Sequence, residues 1–118
     1  MTTTPSSSAE EDFCLRGDAA LARAFAILGK RWSGVVLGSL SDGPAGFREL
    51  SRAINGVSDS VLSDRLAELT ELGLVTRQVE PGPPVAVYYE LTPRGRALLP
   101  ALHEISRWAQ EHLAPEAD

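Results

Sequence analysis

The stretch FRELSRAINGVSDSVLSDRLAELTELGL, residues 47–74, decides the fold. Phe47, Leu50 and Ile54 recur at i, i+3 and i+7, the spacing of one face of a short helix. Asn55-Gly56 interrupts that pattern with two residues that accept the left-handed backbone most others avoid. Ser58 supplies an N-cap oxygen, and Asp59 sets a negative charge at the positive end of a second helix. Leu62, Leu66 and Leu69 form a second apolar stripe, which Gly73 ends just after Leu72. Two helices joined by a glycine-containing turn make a helix-turn-helix, whose second helix fits a DNA major groove. The spacing predicts this motif over about residues 47–72.

Working outward, residues 74–80 are rich in β-branched side chains and roughly alternating. Pro81-Gly82-Pro83-Pro84 breaks the run, and Val85, Val87, Tyr89 and Leu91 then share one face of a second strand. A hairpin over about residues 74–91, directly behind a recognition helix, is the wing of a winged helix. A plain structural hairpin would have the same fold. On the other side, Asp18 caps a first helix carrying Leu21, Ala24, Phe25 and Leu28, and Gly29 ends it. A second helix is predicted over about residues 32–40, with Gly34 and Gly38 four apart, where a neighbour can approach closely. At the far end Thr92 is an N-cap and Pro93 fits the first helical position of a C-terminal helix over about residues 93–113. Its residues Leu98, Leu102, Ile105, Ala109 and Leu113, flanked by Leu99 and Trp108, make an apolar surface wider than one packing partner needs. One flank is expected on its own domain and another on a symmetry mate, although a core helix is the plainer reading. The expected class is α+β, mainly α: a winged helix-turn-helix with N- and C-terminal dimerisation helices. Residues 1–12 are polar and expected to be a disordered tail, leaving 13–118 as a single domain.

A chain of 118 residues suits one modest core, and 43% hydrophobic with 23% charged residues is ordinary for a globular protein. No apolar run is long enough to span a bilayer and the N-terminus lacks signal-peptide features, so no membrane partner is expected. The single cysteine excludes a disulfide within the chain and makes the cytoplasm the default. The net charge of −5 is the wrong sign for a general polyanion binder. Between residues 30 and 96 the basic residues (Lys30, Arg31, Arg48, Arg52, Arg65, Arg77, Arg94, Arg96) number eight. The acidic ones there (Asp42, Glu49, Asp59, Asp64, Glu68, Glu71, Glu80, Glu90) also number eight, so the excess acid lies in the tails. Specific affinity for double-stranded DNA then requires arginines converging on one face and a homodimer that doubles the contacts.

Four segments in order resemble the HxlR-type winged-helix transcriptional regulators, relatives of the MarR group. They are Leu28-Gly29-Lys30-Arg31-Trp32, Gly43-Pro44-Ala45-Gly46-Phe47-Arg48-Glu49-Leu50, Leu62-Ser63-Asp64-Arg65-Leu66-Ala67-Glu68-Leu69 and Tyr89-Glu90-Leu91-Thr92-Pro93-Arg94-Gly95-Arg96. The resemblance covers about residues 19–113. It implies a small cytoplasmic dimer with the first and last helices at the interface, repressing or activating nearby genes in response to reactive electrophiles or small molecules. Three departures stand out. The redox cysteine common in that family falls at Ala19 here, not at Cys14. Ser60 and Val85 stand where basic residues are common, which removes two phosphate contacts.

The face opposite Leu62, Leu66 and Leu69 holds Ser60, Ser63, Asp64 and Ala67. The serine hydroxyls suit base edges or phosphates, whereas Asp64 accepts only from cytosine N4 and repels phosphate. Ser58 is a cap or a contact. Arg65 lies toward the buried flank, either paired with Glu68 or Glu71 or clamping a phosphate. Arg48 and Arg52, four apart on the first helix of the motif, suit the DNA backbone or a solvated face shared with Glu49. Arg77 is the basic candidate in the wing. Phe25, Trp32 and Trp108 are candidates for an effector pocket at the dimer interface, or else fill the core. Cys14 has Arg16 nearby, which favours thiolate, and Asp12 and Asp18, which oppose it; it is a redox candidate or an incidental thiol. His103 and His112, nine apart, fall on opposite faces of one helix, so no metal or other cofactor is expected. Phosphate loops and nucleophile elbows are lacking, so no catalytic residue is assigned and no enzyme is expected. The competing class is a winged helix used solely for protein interaction and dimerisation.

Overall fold

The computed structural model describes residues 16–115, so the tail at residues 1–12 and Cys14 lie outside the described residues. Its elements run α1 (Ala19–Leu28), α2 (Ser33–Ser39), α3 (Phe47–Ala53), α4 (Asp59–Glu71), β1 (Val75–Glu80), β2 (Ala86–Leu91), α5 (Pro93–Ala97) and α6 (Leu99–His112). The chain divides into two compact units, one ending at Arg31 and the other beginning at Trp32. The first unit contains α1. Its N-terminus is satisfied by Asp18, whose Oδ1 accepts from the Leu21 N–H at 3.0 Å, and it has no buried residue with which to build a core of its own.

The second unit is organised around α2, which packs against α3, α4 and α6. Ser33, Val36 and Leu37 of α2 are buried, as is Leu40 just after it. Gly34 faces α6, where a Cβ would meet Leu102 at an ordinary contact distance of 3.8 Å, while Gly38 faces open space. Helix α2 begins one residue later than the spacing suggests. Trp32 instead holds a left-handed backbone (φ 81°), unusual for a bulky residue and costing about 1–3 kcal/mol. Helix α3 is preceded by the N-cap Gly46, whose N–H donates to Oε1 of Glu49 at 2.8 Å.

Helix α4 is fixed at both ends. Ser58 Oγ accepts from the Val61 N–H at 3.2 Å at its start. At its finish Gly73 takes φ 79°, the Gly73 N–H bonds Thr70 O, and the Leu74 N–H reaches back to Leu69 O, each at 3.0 Å. Leu62, Leu66 and Leu69 are buried together with Leu50, Ile54, Leu74, Val75 and Leu91. Strands β1 and β2 pair antiparallel from Val75↔Leu91 to Glu80↔Ala86. Ala45 adds a third, single-residue bridge, exchanging hydrogen bonds with Tyr89 at 3.0 and 2.8 Å.

The single C-terminal helix expected over 93–113 is broken at Leu98. Pro100 has no N–H to offer the Arg96 carbonyl, and its ring crowds that carbonyl. The chain therefore tightens, with the Leu98 N–H bonding Gly95 O at 3.1 Å, before α6 begins. Thr92 and Pro93 open α5 as their types suggest, Thr92 Oγ1 accepting from the Gly95 N–H at 3.1 Å.

Two glycines should respond oppositely to an added methyl. A Cβ at Gly95 would overlap the Leu74 carbonyl oxygen, so Gly95→Ala is expected to destabilise the fold by about 1–3 kcal/mol. Gly38→Ala, inside a helix and facing open space, is expected to stabilise by about 0.5–1 kcal/mol. Denaturant titrations of the two variants check both signs.

Candidate nucleic-acid interface

The outer face of α4 follows from its inner one. With the leucine stripe buried, Ser60, Ser63, Asp64 and Ala67 all stand exposed on the opposite side. This face is small and polar, able to approach a groove closely and to exchange hydrogen bonds with base edges. Ser58, at the helix start, has its hydroxyl engaged as the cap, with Ser60 Oγ 3.5 Å away. Arg65 lies at the edge of this face with its side chain 19% exposed. Its Nε is buried without a hydrogen-bond acceptor and stands 3.5 Å from Glu68 Oε1, the i,i+3 ion pair weighed above against a phosphate clamp.

Helix α3 presents the second group. Arg48 and Arg52 are exposed on it, and Arg48 Nη1 comes within 3.9 Å of Asp59 Oδ2 at the start of α4. Ser51 Oγ also donates to the Asp59 carboxylate, at 3.3 Å. Asp59 thus joins the two helices of the motif and also faces the α4 dipole favourably. Glu49 is taken up by the Gly46 cap rather than by its arginine neighbours. In the wing, Arg77 is exposed and pairs across the strands with Tyr89, and Val79 and Val85 are exposed toward the tip.

The three aromatic candidates have different surroundings. Phe25 is 51% and Trp108 54% exposed, whereas Trp32 is half-buried. A Cβ at Gly56 would stand 3.5 Å from Cη2 of Trp32, so the indole lies against the turn of the helix-turn-helix. The Trp108 ring packs on His112, one turn along, with centroids 5.9 Å apart. A cavity of about 270 Å³ between the end of α2 and α3 is lined by Ser39, Asp42, Gly43, Pro44, Ala45, Glu49, Leu50 and Ala53, and by none of these aromatics. Cys14 lies outside the described residues. Sequence reasoning missed the Ala45 bridge, since one paired residue leaves no periodicity. It also missed Arg94, which donates to Leu72 O across 22 positions, a separation that no local pattern encodes.

An HxlR-like helix-turn-helix family model matches residues 27–117. The chain belongs to that family. The HTH-type transcriptional regulator YodB of Bacillus subtilis (strain 168) is 42% identical over 92 residues, covering 78% of this chain and 82% of YodB. An uncharacterised HTH-type transcriptional regulator of the same organism, YvaP, is 44% identical over 93 residues, 79% of this chain and 86% of YvaP. The solved reduced form of YodB superposes with a TM-score of 0.73 at 39% identity, covering 85% of this chain and 98% of that one. The mainly helical fold with its two-stranded sheet is the winged helix-turn-helix of such regulators, and these relatives are transcriptional regulators. No helix among the described residues is long and apolar enough to cross a membrane.

Proposed function

We propose that this HxlR-like regulator binds a pseudo-palindromic operator as a homodimer in the cytoplasm and represses the genes beside it. Helix α4 enters the major groove, and the wing lies on the adjacent backbone or minor groove. The observation that carries the reading is the two-sided character of α4, whose leucine stripe is buried and whose Ser60, Ser63, Asp64 and Ala67 face is open. Ser60 and Ser63 read base edges, while Arg48, Arg52 and Arg77 neutralise phosphates. Ser58 acts chiefly as the cap, Asp64 restricts which bases are accepted, and Arg65, paired with Glu68 on the same helix, clamps a phosphate at the edge of this face.

The dimer is supported by apolar surface left open at both ends of the chain. Leu21 and Phe25 in α1, and Ile105, Trp108 and Leu113 in and after α6, are each at least 36% exposed. Control is by a small apolar effector, for which Phe25 in the first unit and Trp32 and Trp108 in the second are separate candidate contacts. Such an effector acts only if it binds the DNA-competent and DNA-incompetent arrangements unequally. YodB was solved in a form called reduced, which keeps a thiol route through Cys14 in view.

Selection from a random-sequence duplex library should enrich an inverted repeat. Failure to enrich any sequence would leave the protein-interaction reading. With the selected duplex, replacing both Arg48 and Arg52 by alanine should flatten the slope of log affinity against log salt by about 2, and an unchanged slope would mean merely solvated arginines. Sedimentation at micromolar concentration should show a dimer that dissociates when residues 97–118 are removed. A monomer at the outset, or a dimer that survives the truncation, contradicts the interface. Finally, Cys14→Ser should bind DNA and respond to inducer as the original chain does, and loss of the response alone would establish the thiol route.

A further inference from the structure

The C-terminal end of α4 is fastened to α5 by contacts that the DNA reading does not use. Carbonyls at and just past the end of a helix have no partner within it and must find donors elsewhere. Here Arg94 Nη1 donates to Leu72 O at 3.2 Å, Thr92 Oγ1 to Gly73 O at 2.6 Å, and the Thr92 N–H to Leu74 O at 3.1 Å. Three successive carbonyls are therefore held by two residues that lie beyond the whole wing. Gly95 leaves no room for a side chain against Leu74 O, and a Cβ at Gly73 would meet Arg94 Nη1 at an ordinary contact distance of 3.6 Å. Both feet of the wing, at Leu74 and Thr92, meet in this joint, and α5 leads from it through the turn at Leu98 into α6.

We infer that Arg94, together with Thr92, is a positioning residue for DNA recognition, fixing the direction of α4 and the wing base relative to α6. This rests on the DNA-binding reading of the protein. Helix α4 has 13 residues and is about 20 Å long, so a tilt of about 10° at this joint moves its far end by about 3 Å. Displacement on that scale is enough to spoil base contacts, which require hydrogen-bond geometry good to a few tenths of an ångström. Arg94 is exposed, so its bond to Leu72 O adds little to global stability; its value lies in direction. The positive guanidinium also suits the negative end of the α4 dipole, which is why an arginine serves here.

The test compares the original chain with Arg94→Ala, Arg94→Lys and Arg94→Met on the selected duplex and on a scrambled duplex of the same length. Arg94→Ala should lose about tenfold on the selected duplex, the scale of one hydrogen bond from a charged donor. Affinity for the scrambled duplex, the salt slope and the dimer should stay as they were. Arg94→Lys, which keeps a charged donor, should recover most of the loss. Arg94→Met keeps the stem without a donor, and gives the same reading should truncation to alanine impair folding. Equal loss on both duplexes, with a slope less steep by about 1, would make Arg94 a phosphate contact and overturn the inference. Undiminished affinity, or a loss that vanishes on cooling well below the variant's melting temperature, would reduce the bond to a helix cap and overturn it too. Failure of the original chain to enrich any duplex would overturn the DNA reading, and this inference with it.

Discussion

Burial of Leu62, Leu66 and Leu69 sets the rotation of α4 about its own axis, and the rest of the second unit is arranged to permit it. Truncating one such leucine typically costs about 2–5 kcal/mol, a large share of the 5–15 kcal/mol that holds a small domain together. The helix therefore cannot turn to hide its polar side. Side chains half a turn away from the stripe must face water or a ligand, and those are two serines, an aspartate and an alanine. Helix α2 supplies the opposing wall with Val36 and Leu37, and Leu40 follows it. The Ser58 cap and the Gly73 turn fix where α4 begins and ends.

Electrostatics shape the surface that results. Two of the arginines nearest α4 stand beside carboxylates, Arg48 with Asp59 and Arg65 with Glu68. The exposed Arg48–Asp59 pair contributes at most about 1 kcal/mol, and both pairs lower the positive potential that attracts phosphates. A chain with net charge −5 gains little from non-specific attraction to DNA. Fit at base edges and duplication through a dimer carry correspondingly more of the affinity, which is why the direction of α4 matters.

Much of this architecture is legible locally. Asp18, Ser58 and Thr92 each cap the helix that follows, because an oxygen-bearing side chain before an apolar-periodic run has few better uses. The exposed face of α4 is readable from the leucine spacing alone. What was not legible depends on distant partners. The Ala45–Tyr89 bridge joins residues 44 apart, and Arg94 reaches Leu72 across 22. The break at Leu98 was missed for another reason: an apolar period continuing through residues 98–113 outweighed Pro100, although proline interrupts the hydrogen-bond ladder whatever surrounds it. The left-handed Trp32 likewise has no local signature, since tertiary packing against the Gly56 turn accompanies it.

The most direct measurement is a backbone amide NMR titration of the full chain with the selected duplex. The expected result is saturable shifts concentrated on residues 59–67 and on Arg48, Arg52 and Arg77, with the amides of α6 little affected. Shifts confined to α6, or none at stoichiometric duplex, would contradict a recognition role for the outer face of α4.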